Sequence, residues 1–162
     1  MSGSRKLLLF GGLALAAFGM LYGLHYALSI EHQTLAGMGN SLAESFVSVA
    51  NRNSQQAYAS IQTYGATKYD YVRQVDAHSH WGGLAMLMII LGVVFDKVGF
   101  AENIRRWLAI ALLVGSILFP FAVLLQTAKG MAMLGSMLAV LGSALVTIAL
   151  MGVAWGFLWE GA

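Results

Sequence analysis

Residues 76–95 read Asp76-Ala77-His78-Ser79-His80-Trp81-Gly82-Gly83-Leu84-Ala85-Met86-Leu87-Met88-Ile89-Ile90-Leu91-Gly92-Val93-Val94-Phe95. The apolar part from Trp81 to Phe95 is about 15 residues, short of the roughly 20 that a membrane-crossing helix needs. Starting the helix at Asp76 or Ala77 makes up the length and draws His78, Ser79 and His80 into the membrane boundary. This stretch is therefore read as a span, about 77–95, that carries imidazoles at one end.

Three further runs have the length and composition of spans: about 7–30, 107–125 and 131–159. The last is longer than a bilayer requires and is expected to tilt or protrude. The first follows Ser4-Arg5-Lys6 and resembles a signal sequence, but its apolar run of about 24 residues exceeds a signal core of roughly 7–15. It reads as a retained anchor. Composition agrees: 59% of the 162 residues are hydrophobic and 10% charged, with mean hydropathy +0.73. Soluble domains carry about 25% charged residues, and a chain this short has too little interior to hide so much apolar surface. The expected fold is all-α: a polytopic four-helix membrane bundle in one domain, 1–162, with the lipid bilayer as its main partner.

Charge orients it. Arg5, Lys6, Lys97, Arg105 and Arg106 flank one set of span ends, which the positive-inside rule places in the cytoplasm together with both termini. The segment 31–76 mixes Arg52, Lys68 and Arg73 with acids and reads as extracytoplasmic. Ser41-Leu42-Ala43-Glu44 has the spacing of a capping box. Leu42, Phe46, Val49, Ala57, Ile61 and Tyr64 then recur at near-helical spacing, interrupted by Asn53, and Gly65 is a natural stop. A second helix is expected to start near Thr67–Asp70 and run into the second span, so that 31–76 forms an external helical hairpin. A net charge of +2 without a basic run excludes nucleic acid as a partner.

The chain has no cysteine, which excludes disulfides, thiolate metal sites, iron–sulfur clusters and covalent haem attachment. It has four histidines, and all fall toward the external face: His25 near the end of the first span, His32 beyond it, His78 and His80 opening the second. Ionisable residues at membrane depth are costly and mark candidate sites, and imidazole binds metals and haem iron. Residues two apart on a helix point about 200° apart, so His78 and His80 cannot share one ion. A haem b reading takes His25 with His78 or His80, with Gly23, Gly82 and Gly83 leaving room for the macrocycle. A copper or zinc reading takes His25, His32 and one of the pair, with Asp76 or Glu31. The plainer alternative is that the imidazoles hydrogen-bond to loops and that no cofactor is bound.

Ala77-His78-Ser79-His80, an Ala-His-x-His opening to a membrane helix, resembles a motif of small polytopic membrane proteins related to haem–copper oxidase subunit I. The resemblance covers about eight residues and implies a b-type haem or copper with His78 or His80 as ligand. The catalytic subunits of that family have about twelve spans and further histidines that four spans do not supply.

Other features read as packing. Gly19-x-x-x-Gly23 and Gly152-x-x-x-Gly156 are small-residue faces for close helix approach, within the bundle or across a homodimer. Nine methionines are compatible with Cu(I) handling, but Met86, Met88, Met133 and Met137 lie in apolar runs that suit packing. Trp107, Trp155, Phe157 and Trp159 look like interface anchors. Pro120 is expected to kink the third span. Tyr58, Tyr64, Tyr69 and Tyr71 either cover a cofactor or pack the hairpin. There is no nucleophile elbow, phosphate loop or mid-membrane charge. Two functions remain: a haem or metal site serving electron transfer with quinol in a respiratory-type complex, or a cofactor-free accessory subunit that binds other membrane subunits through its hairpin. A metal or small-molecule sensor is a third.

Overall fold

The computed structural model describes residues 1–159. Within them the chain is helical: α1 (Gly3–Tyr26), a π-helical turn (Ala27–Glu31), α2 (His32–Ala50), α3 (Ser54–Val94), a 3-10 turn (Phe95–Lys97), α4 (Glu102–Leu125) and α5 (Ala132–Phe157). Four helical stretches are long and apolar enough to cross a membrane: Gly3–Ala50, Ser54–Lys97, Glu102–Leu125 and Ala132–Phe157.

The helices run alternately up and down. Ser2 and Arg5 at the start of α1 meet Asp96 after α3, and Ser4 meets Glu102 at the start of α4. The Gly99 amide donates to the carbonyl of Gly156 at 2.9 Å, which brings the end of α5 to the same level. The C-terminus itself, 160–162, lies outside the described residues. At the opposite end Tyr69 reaches Gln126, so the turn after α4 stands level with Tyr69. The pair formed by α2 and the first part of α3 extends past it.

The buried core lies where α1, α3 and α4 converge. Leu8, Trp81, Ala85, Met88, Phe95, Ala109 and Leu112 have no exposed surface. Phe18, Tyr22 and Phe121 surround the Trp81 ring at 4.9–5.0 Å, all edge-on, the arrangement that aromatic quadrupoles favour. α5 packs chiefly on α4. A Cβ on Gly142 would stand 2.7 Å from the Phe119 backbone nitrogen, so only glycine allows that approach. Pro120 is fully buried inside α4, which continues to Leu125.

Two local expectations give way. Ser41 does not open a helix: it lies inside α2, and its hydroxyl donates to the Gly37 carbonyl one turn back. Gly65 does not end one: α3 passes through it without a break. Glycine costs a helix only about 1 kcal/mol relative to alanine, too little to stop one held by packing on both sides. The chain reverses instead at Asn51–Asn53. Arg52 takes φ +56°, and the Asn53 side chain accepts the Gln56 amide at 3.1 Å, capping α3.

Residues of α3 on the side of α1 and α2 recur at alternating steps of three and four from Ala57 through Ser60, Tyr64, Thr67, Tyr71, Gln74, His78, Trp81, Ala85 and Met88 to Gly92. His78 is the one of them whose side chain is exposed, at the margin of the seam beside the buried Ala77. This is the heptad spacing of a seam between helices. α1 meets it with Leu15, Gly19, Tyr22 and Tyr26, and α2 with Ser41, Ser45 and Ser48. The step from Tyr26 to α2's seam contains one residue more than the heptad allows, and the π turn absorbs it. Thr34 donates to the Ile30 carbonyl at 3.0 Å, giving that group a partner where the backbone bonding shifts.

Candidate functional site

His78 lies on α3 where α1 passes at close range. Its Nδ1 donates to the Gly19 carbonyl at 3.0 Å, which fixes the tautomer and leaves Nε2 as an acceptor in the neutral ring. Gly23 makes room for the imidazole: a Cβ there would stand 2.8 Å from His78 Nδ1 and 3.0 Å from Nε2.

Two cavities meet at this ring. One, about 570 Å³, lies toward the π turn and is lined by Tyr26, Glu31, Tyr71, Gln74 and His78 together with Met20 and Leu24. Its polar groups come from α1, the π turn and α3. Gln74 accepts a hydrogen bond from the Tyr22 hydroxyl. Tyr26 is 7% exposed, and its hydroxyl, beside the Thr34 side chain, makes no hydrogen bond of normal geometry among the described residues. A buried hydroxyl without a good partner costs about 1–3 kcal/mol, but this atom has no accessible surface, so a molecule in the cavity reaches it only if the Tyr26 ring turns. The second cavity, about 350 Å³, runs the other way along the same two helices. It is lined by Ala16, Gly19, Met86, Ile89 and Ile90, with open space beside Gly82. Both share Met20 and His78, so they are read as one groove, mainly apolar throughout, with its few polar groups gathered at one end and His78 at the junction.

The remaining candidates are dispersed. His80 turns away from His78, as their spacing requires, and stands 4.6 Å from the Phe119 ring on α4. His25 is exposed and lines neither cavity. Gly23 and Tyr26 occupy the α3-facing side of α1, and His25, between them, falls outside that seam. His32 is exposed on α2. Asp76 pairs with Arg73 at 3.6 Å rather than with an imidazole. Among the described residues no three His, Asp or Glu side chains are grouped closely enough to hold a metal ion. Sequence reasoning passed over Tyr26, Gln74 and Glu31 as a cavity residue, while Tyr71, one of four tyrosines expected to cover a cofactor or pack the hairpin, lines the cavity. Their signal was the seam spacing that runs from Tyr71 through Gln74 to His78.

At the other end of the molecule Asp96 and Glu102 organise the N-terminus. Asp96 accepts from Ser2 and from Arg5 at 3.1 Å, and these bonds hold its carboxyl below the usual range, the Ser2 bond first. Glu102 accepts from the Ser4 amide at 2.8 Å and the Ser4 hydroxyl at 3.1 Å, and pairs with Arg105 at 3.0 Å. The Ser4 amide is the main cause of its lowered pKa.

Comparison with known proteins yields no matching family model, no similar curated protein and no similar solved structure.

Proposed function

We propose that this chain is an integral membrane protein that seats a quinol or quinone in the groove between α1 and α3. The observation that carries this reading is that a mainly apolar cavity with a few polar groups adjoins an almost wholly apolar one, the two sharing His78 and Met20. An isoprenoid quinol has the same two-part chemistry: a ring with hydroxyls at each end and a long apolar tail. The tail follows Ala16, Gly82, Met86 and Ile90 into the bilayer. The ring lies at the boundary, where Nε2 of His78 accepts one hydroxyl and Tyr71, Gln74 and Glu31, with Tyr26 once its ring turns, offer partners for the other. The role is to hold the carrier beside a larger respiratory-type complex that exchanges electrons with it.

In this arrangement Arg5, Lys6, Lys97, Arg105 and Arg106 lie on the cytoplasmic side with both termini. The hairpin of α2 and early α3 stands outside. Long helices with a polar outer portion and an apolar inner one support that placement.

Haem b is the second reading, favoured by one feature: a histidine whose Nδ1 is tied to a carbonyl presents Nε2 to a metal, the usual orientation of a ligating imidazole. His78 would hold the iron, and the group would supply one-electron chemistry. Neither His25 nor His80 is brought opposite His78 to complete a pair. Copper or zinc on His25, His32, His78, His80 and Asp76 has no comparable support.

The test is to purify the protein into nanodiscs, extract bound lipids for mass spectrometry, and titrate a short-tailed benzoquinone. Stoichiometric quinone, or saturable binding lost in His78→Ala, is the expected result. A Soret band in the same sample moves the assignment to haem. No saturable binding and no Soret band overturn both.

A further inference from the structure

The hairpin of α2 and early α3 is held by an unusually small seam. Its buried residues are Ser45, Ser48, Ala57 and Ser60, and the Ser60 hydroxyl has no hydrogen-bond partner among the described residues. The large apolar side chains of both helices point elsewhere. Leu35 is 46% exposed, Phe46 68%, Val49 63%, Tyr58 67%, Ile61 44% and Val72 42%.

These residues are not scattered. At 100° per residue, Leu35, Leu42, Phe46 and Val49 form a stripe about 90° to one side of the α2 seam. Tyr58, Ile61 and Val72 form a stripe about 100° to the same rotational side of the α3 seam. Because the helices are antiparallel, the two stripes lie on one face of the hairpin. The opposite face carries Gln33, Asn40 and Glu44 from α2 with Gln56, Thr63 and Asp70 from α3, and one exposed apolar residue, Val47. The bond from Gln56 Nε2 to Glu44 Oε1 at 2.8 Å crosses the seam on that polar side, which fixes the assignment of faces. The hairpin is thus amphipathic as a unit, with an apolar face that none of the described residues covers.

We propose that this face pairs with the same face of a second copy, so that two hairpins close into an extramembrane four-helix bundle. Three properties favour a copy of this chain over another partner. First, a two-fold pairing brings like residues together, and between Leu35 and Val72 the face carries one charge, Lys68. It lies seven residues on from Ile61 and on its side toward the seam, where its long stem lets the ammonium reach away from its counterpart. Second, two spans hold every copy at the same height and orientation, so like residues are presented at one level. Third, the area suffices. α2 has 19 residues, about 28 Å of helix at 1.5 Å per residue. With two helices about 10 Å wide, the face covers on the order of 550 Å² per copy and roughly 1,100 Å² in all, at the lower end of specific interfaces. Confinement of both copies to one membrane compensates for so modest an area by raising their effective concentration.

The pairing uses the membrane-spanning reading but not the ligand, so failure of quinone binding leaves it standing. The chain has no native cysteine, which permits a direct test in membranes. Single cysteines at Val49 and Tyr58 are compared with single cysteines at Asn40 and Thr63 under mild copper–phenanthroline oxidation. Native mass spectrometry of the wild type and of the double variant Phe46→Arg, Ile61→Arg accompanies this, with circular dichroism as a check on folding. The expected result is disulfide-linked dimer from Val49→Cys or Tyr58→Cys, little from the polar-face cysteines, and a wild-type dimer mass that becomes monomer in a fully helical double variant. A monomeric wild type overturns the proposal. So does equal cross-linking from both faces, or a dimer that survives the two arginines. If the double variant fails to fold, the cysteine pair decides alone.

Discussion

The Nδ1 of His78 donates to the carbonyl oxygen of Gly19, 3.0 Å away on the neighbouring helix. A main-chain carbonyl inside α1 already accepts its helical bond, so the imidazole uses its second lone pair. The bond aims the ring at the junction of the two cavities and costs the helix nothing. Replacing His78 with Ala removes the bond and the Nε2 acceptor together. Quinone affinity should fall by roughly two- to tenfold, since about 1.4 kcal/mol is one decade and a net hydrogen bond is worth about 0.5–1.5 kcal/mol. His25→Ala and His80→Ala should bind as the wild type does. Equilibrium titration in nanodiscs separates the three, and loss in all of them equally would sink the assignment.

Tyr26 makes a prediction with two opposite signs. Its buried hydroxyl makes no hydrogen bond of normal geometry among the described residues, so Tyr26→Phe should leave the ligand-free protein as stable or raise its stability by about 1 kcal/mol. At this chain length that corresponds to a Tm rise of roughly 2–4 °C. The quinone-bound form should lose part of its extra stabilisation. Melting with and without quinone reads both, and a lowered ligand-free Tm would contradict a hydroxyl without a good partner.

Gly23 and Gly65 are both helical glycines and should respond oppositely to alanine. A Cβ on Gly23 would clash with the His78 ring at Cε1, Nδ1 and Nε2, while a Cβ on Gly65 meets nothing within 4 Å. Gly65→Ala should stabilise by about 0.4–1 kcal/mol through the unfolded chain. Gly23→Ala must displace the imidazole, and should lower both Tm and ligand affinity. Thermal melts followed by circular dichroism compare them directly.

Asp96 and Glu102 set the acid behaviour of the N-terminal network. Both carboxyls titrate below their ordinary values in the folded chain. A lowered folded pKa means that the unfolded state binds protons first as pH falls. The stability they contribute is therefore present above about pH 4, the usual carboxylate range, and is lost as pH drops through the folded values. Both groups are largely exposed, so the effect is small and salt-screened. Asp96→Asn with Glu102→Gln should flatten the stability profile below about pH 4 and leave the profile at pH 6–8 unchanged in slope.

Much of the architecture was legible in apolar runs. Trp81–Phe95 and its three counterparts mark helices that the structure contains, because a run of that length has few alternatives to a helix. The reversal was harder to read. Gly65 draws attention as a helix breaker, yet its cost is small beside the packing of Tyr64 and Thr67 on α2. Asn51-Arg52-Asn53-Ser54, a turn-forming cluster with its own cap, was the stronger signal. The histidines clustered along the chain, but position along a helix says nothing of azimuth. His25 stands only two residues from Gly23 and falls outside the seam that Gly23 shares with His78. The cavity's polar groups were hidden for a related reason: Tyr26, Tyr71 and Gln74 come together only when α1 and α3 cross in register.

The π turn at Ala27–Glu31 acts as a phase shifter. Continued as α-helix from Tyr26 at heptad steps, the inward positions of α2 would be Gln33, Asn40 and Val47, and the hairpin would turn polar amides against α3. One surplus residue rotates α2 by about a hundred degrees, sending those amides outward and bringing Ser41, Ser45 and Ser48 to the seam. The same rotation decides where Leu35, Phe46 and Val49 point. Deleting a single residue from this turn would keep every side chain of α2 yet redirect them all, so the outer half of the molecule takes its orientation from five residues that contact little themselves.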